Sequence, residues 1–222
     1  MKKMSICIIS DTHNRHRKLT LPEADTIIHC GDFTSMGYEH EIRDFMKWFS
    51  HLNQYSYKLL IAGNHEFLFE TNGLLARSYV PNNVHYLEDS GIEIEGLNFY
   101  GSPVQLPFLD YAFNRPESKL ELHWKAIPDD TDVLITHSPP YGIFDYVERD
   151  KSHQGSPSLY WEVVERIKPL ISTFGHIHNG YGIKVIENTT FINAALADDR
   201  NQIINQPILV EIVNRKVTVL NQ

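Results

Sequence analysis

Lys58-Leu59-Leu60-Ile61-Ala62-Gly63-Asn64-His65-Glu66 is the stretch on which the fold of this chain turns. Leu59 to Ala62 is a short apolar run without polar alternation, the pattern of a strand buried on both faces. It gives way to Gly63-Asn64-His65-Glu66, a polar loop at a strand exit, which is where α/β sheets place their chemistry. Alone, Asn64 reads as a turn residue and His65 as a solvated histidine. The pair gains meaning only from partners elsewhere in the chain.

Those partners lie at other strand exits. Residues 4–10 and 26–30 read as buried strands that deliver Asp11 and His13, then Asp32. Between strands, Tyr38 to Leu52 carries Ile42, Phe45, Met46 and Phe49 at helical spacing. Asp132 to Thr136 reads as another strand, delivering His137, and Thr173-Phe174 leads into Gly175-His176-Ile177-His178. Strands alternating with helices favour a parallel sheet covered by helices, an α/β protein. Ile92 to Gly101 reads as a hairpin around Glu95-Gly96. Helices are expected over 118–127, with Ser118 as N-cap, and over 158–171. From Gly182 to Val219 the alternation predicts several antiparallel strands, with a turn at Asn214-Arg215. No repeat or linker interrupts the pattern, so residues 1–222 are expected to form one domain.

Composition narrows the function classes. The apolar content of 42% and charged content of 22% are those of a globular protein. No run approaches the length of a membrane span, and the opening residues lack the apolar core of a signal peptide. Cys7 and Cys30 both fall in apolar strand runs, so buried thiols and a reducing, cytoplasmic compartment are expected. A net charge of −8 argues against a duplex nucleic acid as partner and leaves small phosphorylated substrates open.

Asp11, His13, Asp32, Asn64, His65, His137, His176 and His178 thus cluster at strand exits that converge in space. Carboxylates, imidazoles and one amide, with no thiolate, suit divalent Mn, Fe, Zn or Ni. A bridging aspartate holds two such ions roughly 3.5–4 Å apart in two-metal hydrolytic sites. Each residue taken singly has a duller reading as a turn or surface residue. Five exits all carrying ligand-type residues by accident is the weaker explanation. His29, within a strand, is expected to be a satisfied core histidine, and His16, His40, His51, His85, His123 and His153 to be surface or packing residues.

Asp11-Thr12-His13, Gly31-Asp32, Gly63-Asn64-His65-Glu66, Thr136-His137 and Gly175-His176-Ile177-His178 match, in order, the signature of the calcineurin-like metallophosphoesterases. Tyr100-Gly101-Ser102-Pro103, His137-Ser138-Pro139-Pro140 and Phe191-Ile192-Asn193-Ala194 further resemble its small, cap-less subfamily. The resemblance implies a four-layer sandwich of two mixed β-sheets flanked by helices. It also implies a first ion on Asp11, His13 and His178, a second on Asn64, His137 and His176, and Asp32 between them. His65 is then the acid that faces the scissile phosphate, with a metal-bridging hydroxide as nucleophile. Glu66 either orients His65 or satisfies backbone donors at a helix start. Asn14, Arg15, Tyr141 and Tyr146 are possible substrate contacts, better read as ordinary surface residues.

The substrate class follows from what is missing. Protein phosphatases of the superfamily carry Gly-Asp-x-Val-Asp-Arg-Gly and an Arg before Gly-Asn-His-Glu. Here those positions read Gly31-Asp32-Phe33-Thr34-Ser35-Met36-Gly37 and Ala62. Without the phosphate-gripping guanidiniums, a phosphodiester is favoured over a monoester dianion, and the likeness to the cap-less subfamily implies cyclic nucleotides or similar small diesters. The alternatives are a nucleotide phosphatase and a non-catalytic scaffold of the same fold.

Overall fold

The structure, a computed structural model, describes residues 3–221. Strand β1 (Lys3–Ile9) is buried on both faces. Its Met4, Ile6 and Ile8 enter one apolar layer and its Cys7 and Ile9 the next. That double burial is why its sequence shows no clean alternation. After it come β2 (Thr26–His29), α1 (Glu39–Ser50), β3 (Tyr57–Leu60), α2 (Phe67–Thr71), α3 (Gly73–Ser78) and β4 (His85–Tyr86). These four strands are mutually parallel in the order β1-β2-β3-β4. Helix α1 buries Ile42, Phe45, Met46 and Phe49, the stripe that the sequence pattern requires. Cys7 and Cys30 are free and lie on opposite sides of this sheet.

The second half supplies β5 (Ser90–Ile94), β6 (Leu97–Ser102), α4 (Glu117–Lys125), β7 (Val133–Thr136), the short strands β8 (Tyr146–Val147) and β9 (Ser152–His153), and α5 (Pro157–Trp161). The chain ends with β10 (Ile171–Phe174), β11 (Gly182–Ile186), β12 (Thr189–Asn193), β13 (Ile208–Val213) and β14 (Lys216–Val219). One six-stranded sheet runs β14-β13-β1-β2-β3-β4, and the other runs β11-β12-β10-β7-β6-β5. Both are mixed, because β13 is antiparallel to β1 and β5 is antiparallel to β6. Their inner faces meet in a layer holding Ile6, Ile8, Leu59, Val133, Ile135 and Ile192. Helices α1 to α3 cover the first sheet, and α4 and α5 the second. The architecture is the expected four-layer sandwich of two mixed sheets flanked by helices.

Three local expectations need correction. Helix α4 begins at Glu117 behind Pro116, so Ser118 lies inside its first turn rather than at the cap. The helix expected over 158–171 starts at Pro157, capped by Ser156 accepting from Leu159 N at 3.2 Å. It widens into a π-type turn over Glu162–Ile167 and stops at Lys168, which has φ 49°. Pro169 cannot extend it, and Ile171 already belongs to β10. The region 182–219 does contain the β11–β12 and β13–β14 hairpins, the second turning at Asn214-Arg215 as expected. The two hairpins belong to opposite sheets, however, and β12 runs parallel to β10. Alternation reports which face of a strand is buried, not which neighbour it pairs with.

Candidate metal centre

The parallel strands β1, β2 and β3 and the parallel strands β7 and β10 release their C-terminal ends at one edge of the sandwich. There a parallel bridge between Ser10 and Ala195 joins the sheets. Asp11, His13, Asp32 and His176 all have left-handed φ values, between 40° and 66°. Such conformations cost roughly 1–3 kcal/mol each and persist only where surroundings fix them. Here the fixing bonds are visible. Asp11 N donates to Gly31 O at 3.0 Å, His13 N to Asp32 O at 3.1 Å, and His176 N to the Asp11 carboxylate at 3.0 Å.

The eight residues singled out from the sequence meet in one place. His178 Nε2 is 3.5 Å and His13 Nε2 4.0 Å from Asp11 Oδ1, and the two Nε2 atoms are 3.3 Å apart. His137 Nε2 lies 3.4 Å from Asp32 Oδ2 and 2.9 Å from Asn64 Oδ1. Asn64 Oδ1 also lies 2.8 Å from His176 Nδ1. Asp11–His13–His178 and Asp11–Asp32–His137 each bring their ligand atoms within 4.8 Å of one another, as does His13–Asp32–His65.

The imidazoles reveal what the site wants. Backbone carbonyls take the Nδ1–H of three rings: Thr34 O for His13 at 3.3 Å, Asp198 O for His178 at 2.9 Å, and Cys30 O for His137 at 2.8 Å. That fixes the tautomer and turns each Nε2 lone pair inward, the arrangement that orients histidine ligands in metal sites. Inward lone pairs then face one another and carboxylate or amide oxygens, which only positive charge can reconcile. The protonation equilibria divide the rings: burial holds His13 below its ordinary value and His176 down to about 3, while two others are lifted by carboxylates. Burial opposes charge on His137, but Asp32 beside it lifts it to about 9. Burial likewise opposes charge on His178, and its bond to Asp11 lifts it to about 9. Burial would raise both Asp11 and Asp32. The adjoining imidazoles, His178 for Asp11 and His137 for Asp32, outweigh it and hold both well below the usual carboxylate range. The donor set, its tautomers and its demand for cations all fit a pair of divalent ions.

His65 sits differently. Its Nδ1 donates to Ser35 O at 2.5 Å, and its Nε2 is turned inward, 3.8 Å from Asp32 Oδ2. Its own N–H donates to Asp32 Oδ1 at 2.9 Å. Glu66 does not reach the His65 ring. It is wholly buried and gathers the loops: Oε2 accepts from Gly63 N at 2.6 Å and Asp32 N at 2.9 Å, and Oε1 from Thr34 N at 2.9 Å and Thr34 Oγ1 at 2.7 Å. Glu66 therefore neither orients His65 nor caps α2, to which its side chain makes no bond; the backbone donors that it satisfies are those of the loops at Asp32, Thr34 and Gly63.

A cleft of about 490 Å³ rises from this floor. Leu106, Pro107 and Phe108 line one part of it and Glu148 to Asp150 another. Asn14, Arg15, Tyr141 and Tyr146 are not among its lining residues. Asn14 spends its amide on Ser35 Oγ at 3.0 Å and Glu41 at 2.5 Å. Sequence reasoning missed Phe108, the β8–β9 hairpin and the carbonyls of Thr34, Ser35 and Asp198. A carbonyl has no sequence signature, while the aromatic residues Phe108, Tyr111 and Phe113 are the signal that could have drawn attention to this loop. Ala112 and Phe113 are buried, and Phe108 and Tyr111 turn to the site. His16 takes the packing role of the two expected for it, 1% exposed against Phe45 and Trp48, and His29 has one ring nitrogen, Nδ1, unpaired.

Residues 4–180 match the family described as calcineurin-like phosphoesterase. The chain belongs to that family. Among similar proteins is the human "Metallophosphoesterase domain-containing protein 1", 36% identical over 230 residues that cover 93% of this chain and 70% of the relative. A "UPF0046 protein" of Caenorhabditis elegans is 38% identical over 97% of this chain and 77% of its own length. In fold, the calcineurin-like phosphoesterase chain overlays a Thermus thermophilus protein with a TM-score of 0.60 at 14% identity, covering 99% of both chains. It overlays a "Putative 5'-Nucleotidase" of Staphylococcus aureus with a TM-score of 0.59 at 13% identity, covering 99% of this chain and 53% of that one. Family membership makes the chain a metal-dependent phosphoesterase, a hydrolase whose relatives use divalent ions. No helix among the described residues is long and apolar enough to cross a membrane.

Proposed function

We propose that this phosphoesterase hydrolyses small phosphodiesters, cyclic nucleotides or esters of similar size, on a binuclear centre. The observation that carries the reading is the composition of the buried floor. Two carboxylates, one amide and the imidazoles supply ligands, and no guanidinium stands among them. Ala62 is buried in the layer under α1, where a phosphatase arginine would have to emerge. Among the described cleft-lining residues the lysine and arginine class is represented by Arg149, at the rim and paired with Asp150 at 3.1 Å. A dianionic monoester finds few partners here, and a monoanionic diester needs fewer.

In this reading Asp11, His13 and His178 would hold one divalent ion, Asn64, His137 and His176 would hold the other, and the Asp32 carboxylate would serve the pair. The ions, when bound, supply charge neutralisation at the phosphoryl oxygens and acidification of the attacking water. Everything else falls to the chain. Thr34, Cys30 and Asp198 carbonyls hold the ligand rings in register through their Nδ1 atoms. The Ser35 carbonyl does the same for His65, leaving Nε2 as the atom that carries a proton towards the departing oxygen. General acid catalysis of this kind is worth roughly 10²- to 10⁴-fold.

The test is a metal-supplemented screen of cyclic nucleotides, other diesters and nucleotide monoesters, run beside His65→Ala. We expect diesters to turn over fastest and His65→Ala to lose about 10²- to 10⁴-fold in kcat while keeping its metal content. Faster turnover of monoesters, or a His65→Ala variant as active as the parent, refutes the assignment.

A further inference from the structure

The cleft is two-sided in a way the metal chemistry does not require. Phe108 is half-buried, lines the cleft and stacks on Tyr111 with ring centroids 5.6 Å apart and planes 16° from parallel. The pair leans on both working parts of the floor. Phe108 stands edge-on to His176 at 5.6 Å, and Tyr111 lies 4.8 Å from the His65 ring. The Asn114 side chain pins the loop that carries them. Its Oδ1 accepts from Phe108 N at 3.1 Å and Gln105 Nε2 at 3.2 Å, and its Nδ2 donates to Leu109 O at 2.9 Å. Ala112 N then ties the loop to Asn64 O at 3.1 Å, one residue's backbone away from the ligand amide.

A partly exposed aromatic stack held this firmly beside a polar floor is a preorganised surface for another π-face. The cleft volume of about 490 Å³ falls within the roughly 300–1,000 Å³ of pockets that enclose drug-sized molecules, well beyond a phosphate alone. Gln154 and the 148–150 segment also line the cleft and add polar groups to it. We propose that Phe108, backed by Tyr111, is the specificity element of the site and stacks a planar aromatic group carried by the phosphoester. This rests on the phosphoesterase site proposed above and adds the class of ester group that the site prefers. A nucleobase and a simple aryl ring share the required chemistry.

Equilibrium binding separates the possibilities without needing turnover. Calorimetric titration of the metal-loaded protein with adenosine 5′-monophosphate, phenyl phosphate and glycerol phosphate compares two aromatic esters with an aliphatic one. Stacking on an aromatic side chain is worth about 1–3 kcal/mol per base, or roughly 5- to 150-fold in affinity. The wild-type protein should therefore favour at least one aromatic ester over glycerol phosphate by five-fold or more. Phe108→Leu should erase the preference while leaving glycerol phosphate within two-fold, and Phe108→Tyr should keep it. The stronger of the two aromatic ligands identifies the nucleobase or the aryl ring. Glycerol phosphate bound as tightly as both aromatic esters overturns the stacking inference alone. So does a Phe108→Leu variant that weakens all three equally. A metal-loaded protein that binds none of the three monoesters overturns the stacking inference, while turnover in the diester screen decides separately on the site on which it rests.

Discussion

Glu66→Ala should unfold this protein more readily even when no metal is bound, because Glu66 holds the site's loops together from beneath. Removal of the carboxylate strands the N–H groups of Asp32, Thr34 and Gly63, which it accepts at 2.9, 2.9 and 2.6 Å in a fully buried position. Each buried donor left unpaired costs about 1–3 kcal/mol, so three cost roughly 6 kcal/mol at mid-range. An opposing effect has to be subtracted. Burial, then the neighbouring Asp32 charge, raise the Glu66 carboxyl to about 7, while Thr34 and Gly63 pull it down. A carboxyl raised in the folded state destabilises the fold increasingly as pH climbs from its unfolded value through about 7, and fully above that. Deleting it at pH 8 therefore returns up to about 3 kcal/mol. The donors win, with a net loss of about 3 kcal/mol. At roughly 2–4 °C per kcal/mol for a domain of this size, the expected fall in Tm is about 6–12 °C. The assay is thermal unfolding of chelated wild-type and variant protein at pH 8, followed by circular dichroism. An unchanged or raised Tm would mean that the buried charge, not the stranded donors, dominates at Glu66, and the reasoning would be wrong.

Gly175→Ala tests the close packing behind Asp11, the first of the proposed ligands. A Cβ there would stand 2.0 Å from Asp11 Oδ2 and 2.1 Å from Ser10 Oγ, so the Asp11 carboxylate must move. Bound metal per chain should fall by half or more while the circular dichroism spectrum stays folded, and full metal content contradicts the placement of Asp11. His16→Phe tests the acid side of the stability curve. Burial between Phe45 and Trp48 lowers His16 to about 4 despite Asp44 3.3 Å away. A histidine lowered in the folded state stabilises fully above its unfolded value of 6.5, and that contribution is lost as pH falls towards 4. Wild-type protein should lose about 2 kcal/mol from this residue between pH 7.5 and 5, and His16→Phe should not. Parallel urea-unfolding results for both proteins across that interval would rule His16 out as the source.

How much of this was legible in the chain differs by the kind of signal. The strand exits were, because an apolar run that ends in Asp11, Asp32, Asn64, His137 or His176 carries both halves of the message in adjacent residues. The stripe of α1 was also legible, since Ile42, Phe45, Met46 and Phe49 all face one layer. The two-hairpin ending was legible as local pairing only. Nothing in 182–219 says that β11 and β12 join one sheet while β13 and β14 join the other, because that choice is made by contacts far apart in sequence. The helix expected over 158–171 overruns its true end because Leu170 continues the apolar periodicity of Leu159, Val163 and Ile167. Pro169, one residue earlier, was the stronger signal.

The site divides along the same line. Residue types that bind ions announce themselves, whereas the groups that make them competent do not. His13, His137 and His178 face inward because Thr34, Cys30 and Asp198 each lend a main-chain carbonyl, and any residue at those positions could supply one. Glu66 illustrates the intermediate case. Its place beside His65 invites the thought that the two act on each other, yet its four hydrogen bonds all go to Asp32, Thr34 and Gly63. Asn64 and His65 therefore stand on a loop whose geometry is set by the residue that follows them. The strand from Leu59 to Ala62 brings the motif to the edge of the sheet, and Glu66 ties it to the loop after β2. A site assembled this way depends on residues that need never touch substrate, which is why the Glu66 and Gly175 variants probe its framework rather than the proposed ligands themselves.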